Sequence, residues 1–294
     1  MQKILIVAKQ SKYEYERAKF GLTDEQLREK YTSEHANLEA ILNSHELQLK
    51  SRARLKELLP NADMTTMDQL KEPVRGYDLV ISFGGDNSFT YTSHFAGSTP
   101  LMGVNSDPGR STGALCAWSA QKLEDITASI TSGKYEIQEW PRLEAKIDGK
   151  PIMPATSEYF FGERMRKDMT RHVLVYRGKK YEQKNSGMVI ATGAGSTGWY
   201  DSASKYLFPK GNQFSKTEKK AVFIMSEPYK PKPDELLAGE LLPGEQLVLH
   251  SLNDGAGYAS TDSWEEYDFS RGKTAVVTLS EQPLCVIVPQ TFKN

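Results

Sequence analysis

The chain has 294 residues, of which 37 are Lys or Arg and 38 are Asp or Glu, so its formal net charge is −1. Because nucleic-acid-binding domains usually carry a strong basic excess, this balance argues against nucleic acid as a partner. Two cysteines cannot build the disulfide framework of a small secreted domain. No apolar run approaches the roughly 18 residues of a membrane span, and no signal-like segment is recognised. The composition therefore predicts a cytoplasmic protein with no membrane partner.

Strand and helix patterns alternate through the first half of the chain. Residues 23–59 have helical spacing, begin with a capping box formed by Thr23 and Gln26, and end at Pro60. Residues 119–132 predict a second helix. Buried strands are predicted at residues 4–7, 78–83 and 101–104. This alternation predicts a Rossmann-like parallel α/β domain over residues 1–139.

Short strands dominate after Trp140. The pair Asp148-Gly149 predicts a hairpin, because both residues accept the positive φ that a two-residue turn needs. Strand candidates follow at residues 144–147, 150–152, 173–176, 188–191, 221–225, 246–250, 275–279 and 284–288. This pattern predicts a β-sandwich-like domain over residues 140–274, with C-terminal strands in 275–294 that return to the first domain.

A glycine-rich turn follows the strand at 78–83 and contains Gly84, Gly85 and Asp86. Two glycines let the backbone approach an anion closely, and free backbone N–H groups at such a turn can hold a phosphate. Asp86 can accept a proton from a hydroxyl group or help to hold Mg²⁺. A plain tight turn explains the same residues, so the motif alone leaves both interpretations open.

Two further glycine-rich turns follow predicted strands, at residues 103–113 and 192–199. Open α/β sheets bind ligands beyond the carboxyl ends of their strands, so the first turn is expected beside Asp86. The second turn offers backbone N–H groups, hydroxyls and Trp199 to a nucleotide. An ordinary surface loop and a glycine-rich hairpin remain the alternative explanations.

In this order, the three turns resemble the motifs of the NAD kinase family. Residues 84–88 stand where the family has Gly-Gly-Asp-Gly-Thr, and residues 103–105 match its Gly-x-Asn segment. Residues 157–158 approach its Asn-Glu motif, and residues 192–199 match Thr-x-x-Gly-Ser-Thr-x-Tyr. The stretch 103–116 and Trp199 look like the divergent branch that includes the animal mitochondrial NAD kinase.

The resemblance, which covers about residues 78–270, implies the NAD kinase fold and ATP-dependent phosphorylation of NAD on the adenosine ribose 2′-hydroxyl, giving NADP. It implies ATP and Mg²⁺, or another divalent cation, as cofactors, with no metal ligand assigned. It also implies a homodimer or homotetramer whose other partners are small-molecule nucleotides.

The resemblance also implies that residues 1–139 bind the nucleotide phosphates and that residues 140–274 bind NAD. Site residues are carried over from the family motif by motif. The resemblance makes Asp86 the candidate catalytic base. It assigns phosphate or ATP binding to Gly84, Gly85, Asn87 and Ser88, and the positive charge of Arg110 adds this residue to the predicted phosphate-binding set. It assigns NAD binding to Asn105, Ser157, Glu158, Thr192, Gly195, Ser196, Thr197, Trp199 and Asp262.

Two departures from the family pattern keep other functions open. Asn87 replaces a glycine, and Ser157 replaces an asparagine that could both donate and accept hydrogen bonds. Asparagine tolerates left-handed backbone better than most residues, so the first turn is expected to survive. The alternative functions are a non-catalytic NAD(P)-binding sensor with this fold and another kinase with a Gly-Gly-Asp loop.

Overall fold

The computed structural model describes residues 2–231 and 235–290. Its internal contacts divide the chain into two units, Met1–Ile137 with Val286–Lys293, and Gln138–Cys285. The sequence places the corresponding limits after residues 139 and 274, and the assignment of these regions as a phosphate-binding and an NAD-binding domain stays a prediction. Within the described ranges, no helix is long and apolar enough to cross a membrane.

A largely parallel sheet organises the first unit. Its strands are β1 (Ile4–Ala8), β2 (Asp63–Thr66), β3 (Leu79–Gly84), β4 (Leu101–Asn105), β5 (Trp118–Ser119), β6 (Glu136–Trp140) and β19 (Leu284–Val288). They run in the order β2-β1-β3-β4-β19-β6, and β5 pairs with β4. The helices are α1 (Lys12–Phe20), α2 (Asp24–Ser33), α3 (Leu38–Leu58), α4 (Asp86–Ala96) and α5 (Leu123–Ser132). The parallel α/β prediction is confirmed.

The helix predicted over residues 23–59 is in fact two helices. The capping box of Thr23 and Gln26 starts α2 as expected. The chain then breaks at His35, whose φ is 54°, and Asn37 caps α3 by accepting a hydrogen bond from Ala40 N at 3.0 Å. The prediction of a single helix was wrong. The helical spacing of the apolar residues continues across the short break between α2 and α3, so the spacing does not reveal the new N-cap.

The second unit contains two six-stranded sheets. The first has the order β11-β10-β15-β18-β7-β8 and the second β14-β13-β12-β9-β16-β17. The strands of the first sheet are β7 (Leu143–Ile147), β8 (Lys150–Pro151), β10 (Thr170–Tyr176), β11 (Lys179–Asn185), β15 (Gln246–Ser251) and β18 (Thr274–Leu279). Those of the second are β9 (Glu158–Glu163), β12 (Met188–Ala191), β13 (Ala221–Met225), β14 (Ala238–Leu241), β16 (Gly257–Thr261) and β17 (Glu265–Asp268).

One hydrophobic cluster joins the inner faces of these two sheets. Leu249 and Val277 enter it from the first sheet, and Phe161 and Phe223 enter it from the second. Two sheets that share an apolar core form a sandwich, as the sequence predicts. The unit also contains a short helix, α6 (Trp199–Ser204), so it is not built from strands alone.

Two local predictions concern the strands at the ends of this unit. The Asp148-Gly149 turn joins β7 to β8 with φ values of 49° and 79°, which confirms the hairpin. The C-terminal strands divide between the units: β18 pairs with β15 and β7, whereas β19 pairs with β4 through Val286 and Leu101. Residues 291–294 of the predicted C-terminal segment lie outside the described residues.

Candidate functional site

The first two glycine-rich turns lie side by side in the first unit. Strands β3 and β4 pair in parallel, with Gly84 in register with Asn105, so both chains leave the sheet at the same edge. Ser106 N donates to Gly84 O at 2.9 Å and ties the two exits together. This is the crevice position at which open α/β sheets bind ligands.

Gly84 and Gly85 are required for space, and neither has a positive φ. A Cβ atom on Gly84 would overlap the Ser88 side chain, and one on Gly85 would lie 3.0 Å from Ser111 Oγ. Gly85 is the N-cap of α4, so the chain passes directly from strand to helix. Asn87 therefore lies in the first turn of a helix, where no left-handed backbone is needed.

The Asp86 carboxylate is oriented by backbone groups of the neighbouring loop. Its Oδ2 accepts a hydrogen bond from Ala114 N at 3.0 Å, and its Oδ1 accepts one from Leu115 N at 2.7 Å. Asp86 is also the first residue of α4, where the helix dipole favours a negative charge. Each oxygen keeps a second lone pair, so the carboxylate can still accept a proton or a ligand.

Asn105 and Arg110 both make contacts within the first unit. The Asn105 side chain is buried, accepts Asp107 N at 3.1 Å and donates to Ser111 O at 2.9 Å, so it shapes the loop after β4. The Arg110 guanidinium donates to Ala40 O at 2.6 Å. The structure thus places Asn105 in the loop framework and Arg110 against α3.

In the second unit, Asp262 holds the segment that contains Ser157 and Glu158. The Asp262 carboxylate accepts three backbone N–H groups, from Thr156 and Ser157 at 2.8 Å and from Glu158 at 2.9 Å. Its own backbone has a φ of 48°, in the left-handed region that aspartate adopts more readily than most residues. Asp262 therefore positions its neighbours.

Glu158 has an unusual protonation state. Burial, and secondarily the charge of Asp262, raise the pKa of Glu158 to about 8. At neutral pH its carboxyl group is therefore mostly protonated and can donate a hydrogen bond as well as accept one.

The third glycine-rich turn packs against this segment. A Cβ atom on Gly195 would overlap the Ser157 carbonyl group and lie 3.0 Å from Glu158 Oε2. Thr192 Oγ1 donates to Thr156 O at 2.6 Å. The structure therefore brings four predicted residues of the NAD-binding set, Ser157, Glu158, Thr192 and Gly195, into one group around Asp262.

The other residues of this turn divide between the interior and the surface. Ser196 is buried and donates to Gly193 O at 2.8 Å, so its hydroxyl is used inside the turn. Thr197 is exposed, and the Trp199 side chain is 40% exposed. Trp199 stacks on Phe160, with ring centroids 4.6 Å apart and planes at 20°. Trp199 thus presents one face of a supported indole ring to its surroundings.

Sequence reasoning missed three contributors to these arrangements. The backbone N–H groups of Ala114 and Leu115 hold Asp86, and no side-chain pattern could have revealed them. Phe160 supports Trp199 from the strand after Glu158. The sequence shows that residue 160 is aromatic, but it does not show which face of β9 the ring occupies.

Among the described residues, no group of three or more His, Cys, Asp or Glu side chains is placed to hold a metal ion. Cys116 and Cys285 are both free thiols. Burial raises the pKa of Cys116, so this thiol is not activated as a nucleophile.

Comparisons of the sequence find no matching family model. The chain is 26% identical over 257 residues to a probable NADH kinase of Oryza sativa, spanning 76% of this chain and 75% of that protein. It is 27% identical over 188 residues to an NADH kinase of Arabidopsis thaliana, spanning 56% and 57% of the two chains. It is 22% identical over 250 residues to the mitochondrial NAD kinase 2 of Homo sapiens, spanning 67% and 57%. The chain thus spans little more than half of the latter two relatives.

Solved structures of an NAD kinase and an NADH kinase are similar to this chain in fold. An NAD kinase from Archaeoglobus fulgidus in complex with ATP superposes with a TM-score of 0.65 at 18% identity, covering 81% of this chain and 89% of that one. Yeast NADH kinase complexed with NADH superposes with a TM-score of 0.68 at 14% identity, covering 98% and 83%. The chain therefore has the fold of the NAD and NADH kinases and resembles that family in sequence.

Proposed function

We propose that this chain is a phosphotransferase that phosphorylates NAD or NADH, with ATP as the donor, on the 2′-hydroxyl of the adenosine ribose. The new bond joins the 2′-oxygen to the terminal phosphorus of ATP. The bond between that phosphorus and ADP breaks, the hydroxyl proton leaves, and the products are NADP or NADPH and ADP. The similarity to NAD and NADH kinases supports this assignment.

The observation that carries the proposal is the setting of Asp86. Its carboxylate is fixed at the start of α4 by two backbone N–H groups of the loop after β4, which approaches closely because Gly84 and Gly85 have no side chains. Phosphoryl transfer depends mainly on positioning and on neutralising charge. Asp86 accepts the hydroxyl proton, and the positive end of the α4 dipole at the same turn favours phosphate oxygens.

Gly84, Gly85, Asn87 and Ser88 lie around this turn and are proposed to contact the ATP phosphates. Arg110 is proposed to pair with a phosphate by leaving the Ala40 carbonyl group to which it donates here. A guanidinium forms stronger hydrogen bonds with a phosphate than with a neutral carbonyl oxygen, which favours that exchange.

The second unit is proposed to bind the dinucleotide substrate. A protonated Glu158 both donates and accepts hydrogen bonds, as a ribose diol or a nicotinamide group requires. Ser157, Thr192 and Gly195 frame it, and the exposed face of Trp199 offers a stacking surface for a flat ring. Ser196, Thr197 and Asp262 complete the proposed set in this unit. Asn105, in the first unit, stays a predicted NAD contact.

Magnesium is proposed to accompany the nucleotide. Mg²⁺ is commonly held by one or two carboxylates together with substrate phosphates and water, so a dense protein cluster is not required. Asp86 keeps free lone pairs and fits such a role. The cation would supply charge neutralisation at the phosphates.

The decisive experiment incubates the purified protein with NAD or NADH, ATP and Mg²⁺, and measures NADP(H) with an NADP-specific dehydrogenase. We expect NADP(H) to form, and no product from folded protein would contradict the proposal. Asp86→Asn should lower kcat at least about 100-fold, since a positioned base contributes about 10² to 10⁴ in rate. Asp68→Asn, an exposed residue of the same unit, is the matched control.

A non-catalytic sensor of NAD(P) is the second candidate, favoured by Asn87 and Ser157, which depart from the family pattern. Calorimetry that shows NAD binding without any NADP formation would identify it.

We also propose a homodimer or homotetramer, which light scattering on the purified protein would measure. Cytoplasmic localisation stays a prediction.

A further inference from the structure

One face of α3 reaches across to the loop that follows β4. Ala40, Ser44 and Gln48 are spaced four residues apart and therefore share this face. Ser44 Oγ donates to the Asp107 carboxylate, and Gln48 Nε2 donates to Ser44 Oγ at 3.0 Å. With the Arg110 contact to Ala40 O, α3 holds the outer side of the loop at two points.

The inner side of the same loop contacts the Gly-Gly-Asp turn. Ser111 lies against Gly85, and Ala114 N and Leu115 N donate to the Asp86 carboxylate. Between the two sides, Asp107 O accepts Arg110 N at 3.1 Å and Ser111 N at 3.0 Å, so residues 107–111 form a tight turn. A shift of Asp107 is therefore transmitted to the groups that orient Asp86.

Helix α3 is also held in place by contacts with α1. His45, next to Ser44, stacks on Tyr13 with centroids 4.9 Å apart, and its Nδ1 lies 2.7 Å from Ser11 Oγ. Arg52 pairs with Glu14 across the same two helices. Because α1 holds α3 on one side, the Ser44 hydroxyl is a defined anchor for the loop on the other.

We propose that Ser44 is a positioning residue for phosphoryl transfer, acting through Asp107 and the loop 106–115 on the Asp86 carboxylate. The kinetic part of this inference rests on the proposed function. The structural part, that Ser44 restrains the loop, stands independently of any activity.

The test compares Ser44→Ala with Ser51→Ala, a half-buried serine of the same helix for which no hydrogen bond is seen among the described residues. Both changes have the same effect on helix propensity. Hydrogen–deuterium exchange of peptides covering 106–115 should become faster in Ser44→Ala and stay unchanged in Ser51→Ala. Equal exchange in the two variants would overturn the proposal, even if the parent protein makes no NADP.

Kinetics provide the second measurement. Ser44→Ala removes the hydrogen bond to the Asp107 carboxylate, which affects Asp86 only through the loop. We therefore expect kcat/KM for ATP to fall about tenfold. The KM for NAD and the melting temperature should stay within the range of Ser51→Ala. Ser44→Thr, which keeps the hydroxyl, should restore the parent value. An ATP dependence equal to that of Ser51→Ala, or a failure of threonine to rescue, would contradict a positioning role.

Discussion

Glu158 and Asp262 take opposite roles although both are acidic and close together. Asp262 has three backbone N–H donors, so its charge is compensated where it lies buried. No such donors to the Glu158 carboxyl group are seen among the described residues, and burial, together with the charge of Asp262, raises its pKa to about 8. A buried carboxyl group whose pKa is raised in this way is typical of functional sites.

The protonation of Glu158 predicts a pH-dependent stability. With the folded pKa raised from 4.5 to about 8, the folded protein keeps a proton that the unfolded chain releases above its own pKa. Stability is therefore lost as the pH rises from 5 to 8, by about 3 kcal/mol for this group. Glu158→Gln removes this titration. The free energy of unfolding of the variant, relative to that of the parent, should therefore rise by about 3 kcal/mol between pH 5 and pH 8. Urea unfolding at both pH values measures the gain, and parallel profiles would contradict the pKa assignment.

At the scale of elements, the junction of β3 and α4 is closely packed. The strand ends at Gly84, the helix is capped at Gly85, and Ser88 of the first helical turn packs back over Gly84. The lack of side chains here lets the loop after β4 approach closely enough for its N–H groups to reach Asp86.

A methyl group at this junction should therefore be costly. Gly84→Ala would press on the Ser88 side chain and on Lys9 Cβ, 3.1 Å away. Overpacking of this kind costs about 1–3 kcal/mol, and we expect a loss of stability in that range. Gly109→Ala, in the neighbouring loop, meets nothing within 4 Å and has no positive φ, so it should be nearly neutral. Thermal unfolding of the two variants distinguishes them, and equal melting temperatures would show that the junction can relax.

At the scale of the whole molecule, each unit has its own core. Leu55 belongs to the cluster of the first unit, and Leu249 belongs to the cluster that joins the two sheets of the second. Units with separate cores are expected to unfold as separate cooperative blocks.

Two core substitutions test this independence. Leu55→Ala and Leu249→Ala each remove a fully buried side chain and should cost about 2–5 kcal/mol in their own unit. In native-state hydrogen exchange, protection should fall in the peptides of the substituted unit and stay close to the parent value in the other. If either substitution lowers protection equally throughout the chain, the two units unfold as one.

The strand–turn motifs, their order and the fold class were predictable from local chemistry: β-branched runs, capping residues such as Thr23, and glycines after strands. The candidate residues came from the resemblance of these motifs to the NAD kinase family. The break at His35 was beyond local reasoning, because helical spacing continues across it. The tertiary structure alone decided that Asp86 is held by the N–H groups of Ala114 and Leu115, and that Asp262 organises residues more than a hundred positions away. Hydrogen bonds to backbone groups carry no side-chain signature, and burial is what neutralises Glu158, so neither could be seen before the chain was folded.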